Sequence, residues 1–80
     1  MNIREEVVTV LREIGFRDDE LADTTGLSED LGIDSTELVE IVVALEQHFD
    51  ISIDMDAEGG FRTLGDLVAC ADRLLSVREG

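Results

Sequence analysis

Asp34-Ser35-Thr36-Glu37 stands ahead of an apolar run at helical spacing, and it is the stretch whose residue types best suit chemistry. Asp34 is a good N-cap residue, and Glu37 three places later makes a carboxylate variant of the capping box. With Asp34 as the cap, Ser35 is the first helical residue. Its hydroxyl then has no capping duty and can point into solvent. It also stands at the positive end of the helix dipole, where a phosphate is favoured. Taken alone, the four residues are equally an ordinary helix start.

Other candidates are weaker. His48 has no cysteine or second histidine near it in sequence, so it makes a poor metal site. Cys70 has no base beside it and nothing that would lower its pKa, which argues against a nucleophile. Asp54-Met55-Asp56-Ala57-Glu58-Gly59 matches the early positions of a calcium loop, with Phe61 at the eighth. The twelfth position falls on Gly65, where a bidentate Glu is required. No set of residues for catalysis is legible, so an enzyme is not expected.

The elements that must position Ser35 are helical. Asn2 can cap a first helix with Glu5 at its third position, and Ile3, Val7, Val10, Leu11 and Ile14 give its core stripe. Gly15 is suited to end it, with Phe16 folding back. Residues 17–34 form a long connection, expected to be pinned by Leu21, Leu27, Leu31 and Ile33, with one helical turn over Ser28-Glu29-Asp30-Leu31 ended by Gly32. The second helix spans about 35–49. Leu38, Ile41, Val42, Leu45 and Phe49 cluster on one side of it. Its opposite side carries Thr36, Val39, Glu40, Val43 and Gln47, with Glu46 near the edge. Two valines among polar residues beside Ser35 read as a docking patch. Residues 50–56 alternate like a strand but have no pairing partner, so they are read as an extended connector burying Ile51 and Ile53. The last helix begins at Thr63, with Asp66 completing a capping arrangement. Its stripe is Leu64, Leu67, Val68, Ala71, Leu74 and Leu75, with Cys70 off its centre and Ser76 to Gly80 frayed.

The 80 residues suit one small domain, residues 1–80, and the single cysteine forbids an internal disulfide. The core is aliphatic, since hydrophobic residues make up 44% of the chain and aromatic ones only 4%. Met1 leads directly into an amphipathic helix and no apolar run nears the ~20 residues of a membrane span. A cytoplasmic setting is therefore the expectation. The net charge is −14, and all six basic residues are arginine. Such a surface repels nucleic acid and anionic membranes and attracts basic patches on protein partners.

Asp34-Ser35 opening a helix, after Leu31-Gly32-Ile33 and before Glu37-Leu38-Val39-Glu40, resembles the prosthetic-group motif of acyl carrier proteins. The resemblance covers about Ile3 to Leu75. It implies an all-α bundle of three main helices with a long loop between the first two. It also implies a short third helix near residues 56–61, which Gly59-Gly60 disfavours. By this resemblance Ser35 carries 4′-phosphopantetheine as a phosphodiester, and an acyl chain is held as a thioester at the far end of the arm. Asp34 orders the modification motif. Thr36, Glu37, Val39, Glu40, Val43, Glu46 and Gln47 form the docking face. The implied partners are a phosphopantetheinyl transferase and acyl-processing enzymes, such as an acyltransferase or ketosynthase, with basic docking patches. The family usually has leucine after the serine, whereas this chain has Thr36, which bears on recognition by the transferase.

Fatty acid and polyketide pathways would both use this architecture. Thr36 and the valine-rich second helix point to a specialised carrier outside primary fatty acid synthesis. The free-standing length suggests a discrete carrier, although a domain excised from a larger synthase would look the same, and a monomer is expected. Three alternatives remain. A peptidyl carrier more often has glycines before the serine and a less acidic second helix. A calcium-binding regulator lacks its carboxylate at position 65. An acidic interaction domain would never be modified at Ser35.

Overall fold

The computed structural model describes residues 2–17, 19, 21–55 and 60–79, the side chains of 78 and 79 apart. Among the described residues three helices are set out: α1 (Ile3–Ile14), α2 (Ser35–Phe49) and α3 (Leu64–Glu79). They pack on one another as the all-α bundle expected. The expected short helix near residues 56–61 falls mostly outside the described residues.

Each helix starts on a side chain that satisfies an otherwise orphaned N–H. The Asn2 side chain accepts from Glu5 N at 3.1 Å, and Asp34 Oδ1 from Glu37 N at 2.8 Å. At α3 the box closes in both directions: Thr63 Oγ1 accepts from Asp66 N at 3.3 Å, and Asp66 Oδ2 accepts from Thr63 N at 3.1 Å. Arg62 N donates to the same carboxylate oxygen at 2.9 Å. These backbone N–H groups of Arg62 and Thr63 hold the Asp66 carboxyl below the ordinary carboxylate range.

The α1 terminus is a paired-bond end motif. Gly15 has φ 131°, its N–H reaches Arg12 O at 3.1 Å, and Phe16 N reaches Leu11 O at 3.0 Å. Phe16 then packs on the core. At the end of α2, Asp50 adopts the left-handed conformation at φ 56°, a state that aspartate tolerates better than most residues. Ile51 N bonds back to Glu46 O at 3.1 Å.

Val7 and Leu11 of α1, Ile41, Leu45 and Phe49 of α2, and Leu64, Leu67 and Ala71 of α3 meet in one core with Leu21, Leu27 and Ile33 from the long connection. Leu11, Leu45 and Leu64 are fully removed from water, each contributing about 1.5–3 kcal/mol. Leu31, Leu38, Ile51, Ile53, Val68 and Leu75 are partly buried against the same core.

The long connection is held by more than its leucines. Gly26 and Thr63 form an isolated antiparallel bridge. Leu27 N donates to Arg62 O at 2.9 Å, Leu64 N to Thr25 O at 3.0 Å, and Gly65 N to Asp23 O at 2.9 Å. The expected helical turn is present as a turn, with Asp30 N on Gly26 O at 2.9 Å and Gly32 N on Ser28 O at 3.2 Å. Gly32, at φ 66°, reverses the chain after it.

Three sequence expectations are corrected. Ile14 is 41% exposed, because the chain reverses at Gly15 and Phe16 rather than Ile14 folds onto the core. Cys70 is 3% exposed rather than at the stripe's margin; it shares a cleft with Gly60 and Phe61, the segment leading into α3. Helix α3 does not stop at Leu75, where fraying was expected to begin, but runs on to Glu79.

Candidate functional site

Ser35 is the first residue of α2 and is exposed. Its placement follows from the residues before it. Ile33 is buried to 5% and its N–H is fixed on Leu27 O at 3.0 Å, so the chain is anchored two residues ahead of the serine. Asp34 is extended at φ −89° and ψ 179° and does both jobs of a cap: its carboxylate takes Glu37 N, and its carbonyl takes Leu38 N at 2.9 Å. Among the described residues, no hydrogen bond engages the Ser35 hydroxyl. A free hydroxyl on an anchored backbone, at the electropositive end of a fifteen-residue helix, fits a phosphodiester linkage.

The expected docking residues lie on the same helix. Val39 and Val43 are 48% and 42% exposed, and Thr36, Glu37, Glu40 and Gln47 are exposed as well. The core face inferred from spacing is correct: Ile41, Val42, Leu45 and Phe49 are buried and Leu38 is half-buried. Glu46 differs from the other acids. It is half-buried, and its Oε2 accepts the Ile53 N–H at 2.8 Å.

His48 lies at the border of the core face of α2, beside buried Phe49. Its Nε2 is 2.7 Å from Glu6 Oε1 of α1, and its ring meets Phe49 edge-on with centroids 5.0 Å apart. Sequence reasoning missed this tie between helices, since Glu6 and His48 are far apart in the chain. Among the described residues, no group of three His, Cys, Asp or Glu side chains is placed to hold a metal. Most of the calcium-loop candidate after Met55 lies outside the described residues. No helix among the described residues is long and apolar enough to cross a membrane.

With this geometry in place, two comparisons give the family. Residues 3–71 match the family described as a phosphopantetheine attachment site. The chain is also similar to a protein named acyl carrier protein from Sulfurovum sp. (strain NBC37-1), at 39% identity over 59 residues, covering 74% of this chain and 79% of that one. The chain belongs to the phosphopantetheine-binding acyl carrier protein family. It is thus a carrier and not an enzyme, its prosthetic group is 4′-phosphopantetheine, and its role involves a phosphopantetheinyl transferase and acyl-processing enzymes.

Proposed function

We propose that Ser35 is the attachment residue and that residues 1–80 act as one carrier domain, holding acyl intermediates of a polyketide or fatty acid type of pathway. The observation that carries this reading is the free Ser35 hydroxyl on the capped first turn of α2. In the loading step the Ser35 oxygen attacks the phosphorus of coenzyme A that carries the pantetheine. A new P–O bond forms, the old pyrophosphate P–O bond breaks, the adenosine bisphosphate leaves, and the serine proton passes to base. Once attached, the arm supplies a terminal thiol that holds the acyl group as a thioester.

The protein's own residues do the rest. Asp34 fixes the first turn, so the arm springs from a defined point. Glu37 and Glu40 face Arg or Lys patches on a transferase, acyltransferase or ketosynthase, and Val39 and Val43 fill shallow apolar depressions there. Gln47 and Thr36 border that contact. Glu46 lies at its edge with its carboxylate turned to the connector. The charge of −14 steers basic partners, favours a monomer by self-repulsion, and suits a cytoplasmic carrier working on soluble enzymes. Thr36 and the exposed valines favour a specialised pathway over primary fatty acid synthesis.

The test is the intact mass after incubation with coenzyme A, magnesium and a broad-specificity phosphopantetheinyl transferase, beside Ser35→Ala. A gain of one phosphopantetheinyl group, absent in the variant, is expected. A well-folded wild type that gains nothing, with this transferase and with one from the native host, overturns the assignment.

A further inference from the structure

Ile14 is the one large apolar residue of α1 that the fold leaves well exposed among the described residues. It is not isolated. With Val10 and Glu13 it forms one wall of a shallow groove of about 350 Å³, and Ala44, Gln47 and His48 of α2 form the other.

This groove continues the exposed face of α2. Ser35, Val39, Val43 and Gln47 follow at four-residue steps, each turning about 40° beyond a full turn. The row therefore winds around the helix, starting at Ser35 and ending at Gln47 on the α1 groove. Val39 and Val43 lie along it and Ile14 at its end, so three of the four large exposed apolar residues among those described share one path; the fourth, Val77, is on α3. Ser35 and Gln47 are about 18 Å apart along the axis, a span within a single partner footprint of about 800 Å².

Charge selects the occupant. Glu13 rims the groove, Glu40 lies one turn above Ala44, and the whole chain carries −14. A second copy would set like charge on like, whereas a basic surface gains from the contact. We propose that the α1–α2 groove receives an apolar side chain of a basic partner protein, so that docking crosses from α2 onto Ile14 of α1. This rests on the carrier reading above and names where its partners hold on.

The experiment measures kcat/KM for loading of Ser35 by a broad-specificity phosphopantetheinyl transferase, on wild type, Ile14→Ser, Ile14→Met and Val77→Ser, at low and high salt. Ile14→Ser should lose about three- to eightfold, the effect of leaving the remaining two-fifths of this side chain unburied. The loss should persist at high salt, because apolar burial is not screened. Ile14→Met should recover at least half of it, and Val77→Ser should match wild type, with helical circular dichroism unchanged throughout. Wild-type loading of Ile14→Ser, or an equal loss in Val77→Ser, overturns the groove while leaving Ser35 as the loaded residue. A wild type that is not loaded at all overturns the carrier reading and, with it, this inference.

Discussion

Glu46 Oε2 lies 2.8 Å from the Ile53 nitrogen, so a side chain of α2 holds the backbone of the connector seven residues further on. The same residue's carbonyl accepts Ile51 N, which makes Glu46 a two-point clasp on the chain leaving the helix. Glu46→Ala leaves the Ile53 N–H without its partner. We expect a loss of about 1 kcal/mol in urea unfolding and faster hydrogen exchange at Ile53 than in wild type. Glu46→Gln keeps a carbonyl acceptor and should fall between. Unchanged exchange at Ile53 in the alanine variant would count against the clasp.

Asp66 gives a pH dependence whose sign is fixed. Its unfolded pKa is the ordinary 3.8, and its folded value is lower because Arg62 N and Thr63 N donate to it. Between the two values the unfolded chain binds more protons, so stability rises with pH there. The contribution is complete above the unfolded value and is lost as pH falls through the folded one. The stability gap between wild type and Asp66→Asn should therefore be widest near neutrality and should close below about pH 4. Chemical unfolding of both proteins across that range measures it; a gap independent of pH would refute it.

Gly65→Ala tests how closely α3 approaches the long connection. In an exposed helix interior the change stabilises by about 1 kcal/mol. Here an added Cβ would stand 3.0 Å from the Asp23 carbonyl oxygen, which also accepts the Gly65 N–H at 2.9 Å. The alanine therefore pushes on backbone that its own nitrogen holds in place. Thermal unfolding should show a lower Tm; a higher one would mean that the loop yields.

The α2 face should separate docking from stability. Val39 and Val43 are about half exposed, so replacing both by serine should change unfolding free energy by no more than about 0.5 kcal/mol per site. Loading by the transferase should nonetheless slow. Glu40→Arg should weaken encounter more at low salt than at high salt. Equal loss at both would remove electrostatic steering from the account.

The features legible in the sequence are those set by neighbours three to five residues apart. Asn2, Asp34 and the Thr63–Asp66 pair cap where their spacing says, and Gly15 with Phe16 ends α1 by a local motif. The core faces of α1 and α2 follow from helical period. What stayed hidden depends on where distant segments meet. Period alone put Ile14 in the core, since nothing local says which residue lies past the packing of its neighbours. Cys70 gains its burial beside Gly60 and Phe61, and Glu6 reaches His48 across two helices. At the candidate site, the Asp34 cap and exposed Ser35 were legible because both are properties of one helix start. The inward turn of the Glu46 carboxylate was not, since it depends on the path the connector takes after Asp50.

The bridge between Gly26 and Thr63 also bears on how the chain folds as it is made. A growing polypeptide delivers α1, the long connection and α2 well before Arg62, Thr63 and Leu64 exist. Until then Thr25 O and Leu27 N have no backbone partner from that segment and must turn to water. The long connection ahead of Ser35 therefore gains these bonds only once Arg62 and Leu64 have left the ribosome. The helix start at Asp34 and Ser35 is then braced by backbone made well after it, and while the chain is being made its order rests on the local bonds within residues 26–33.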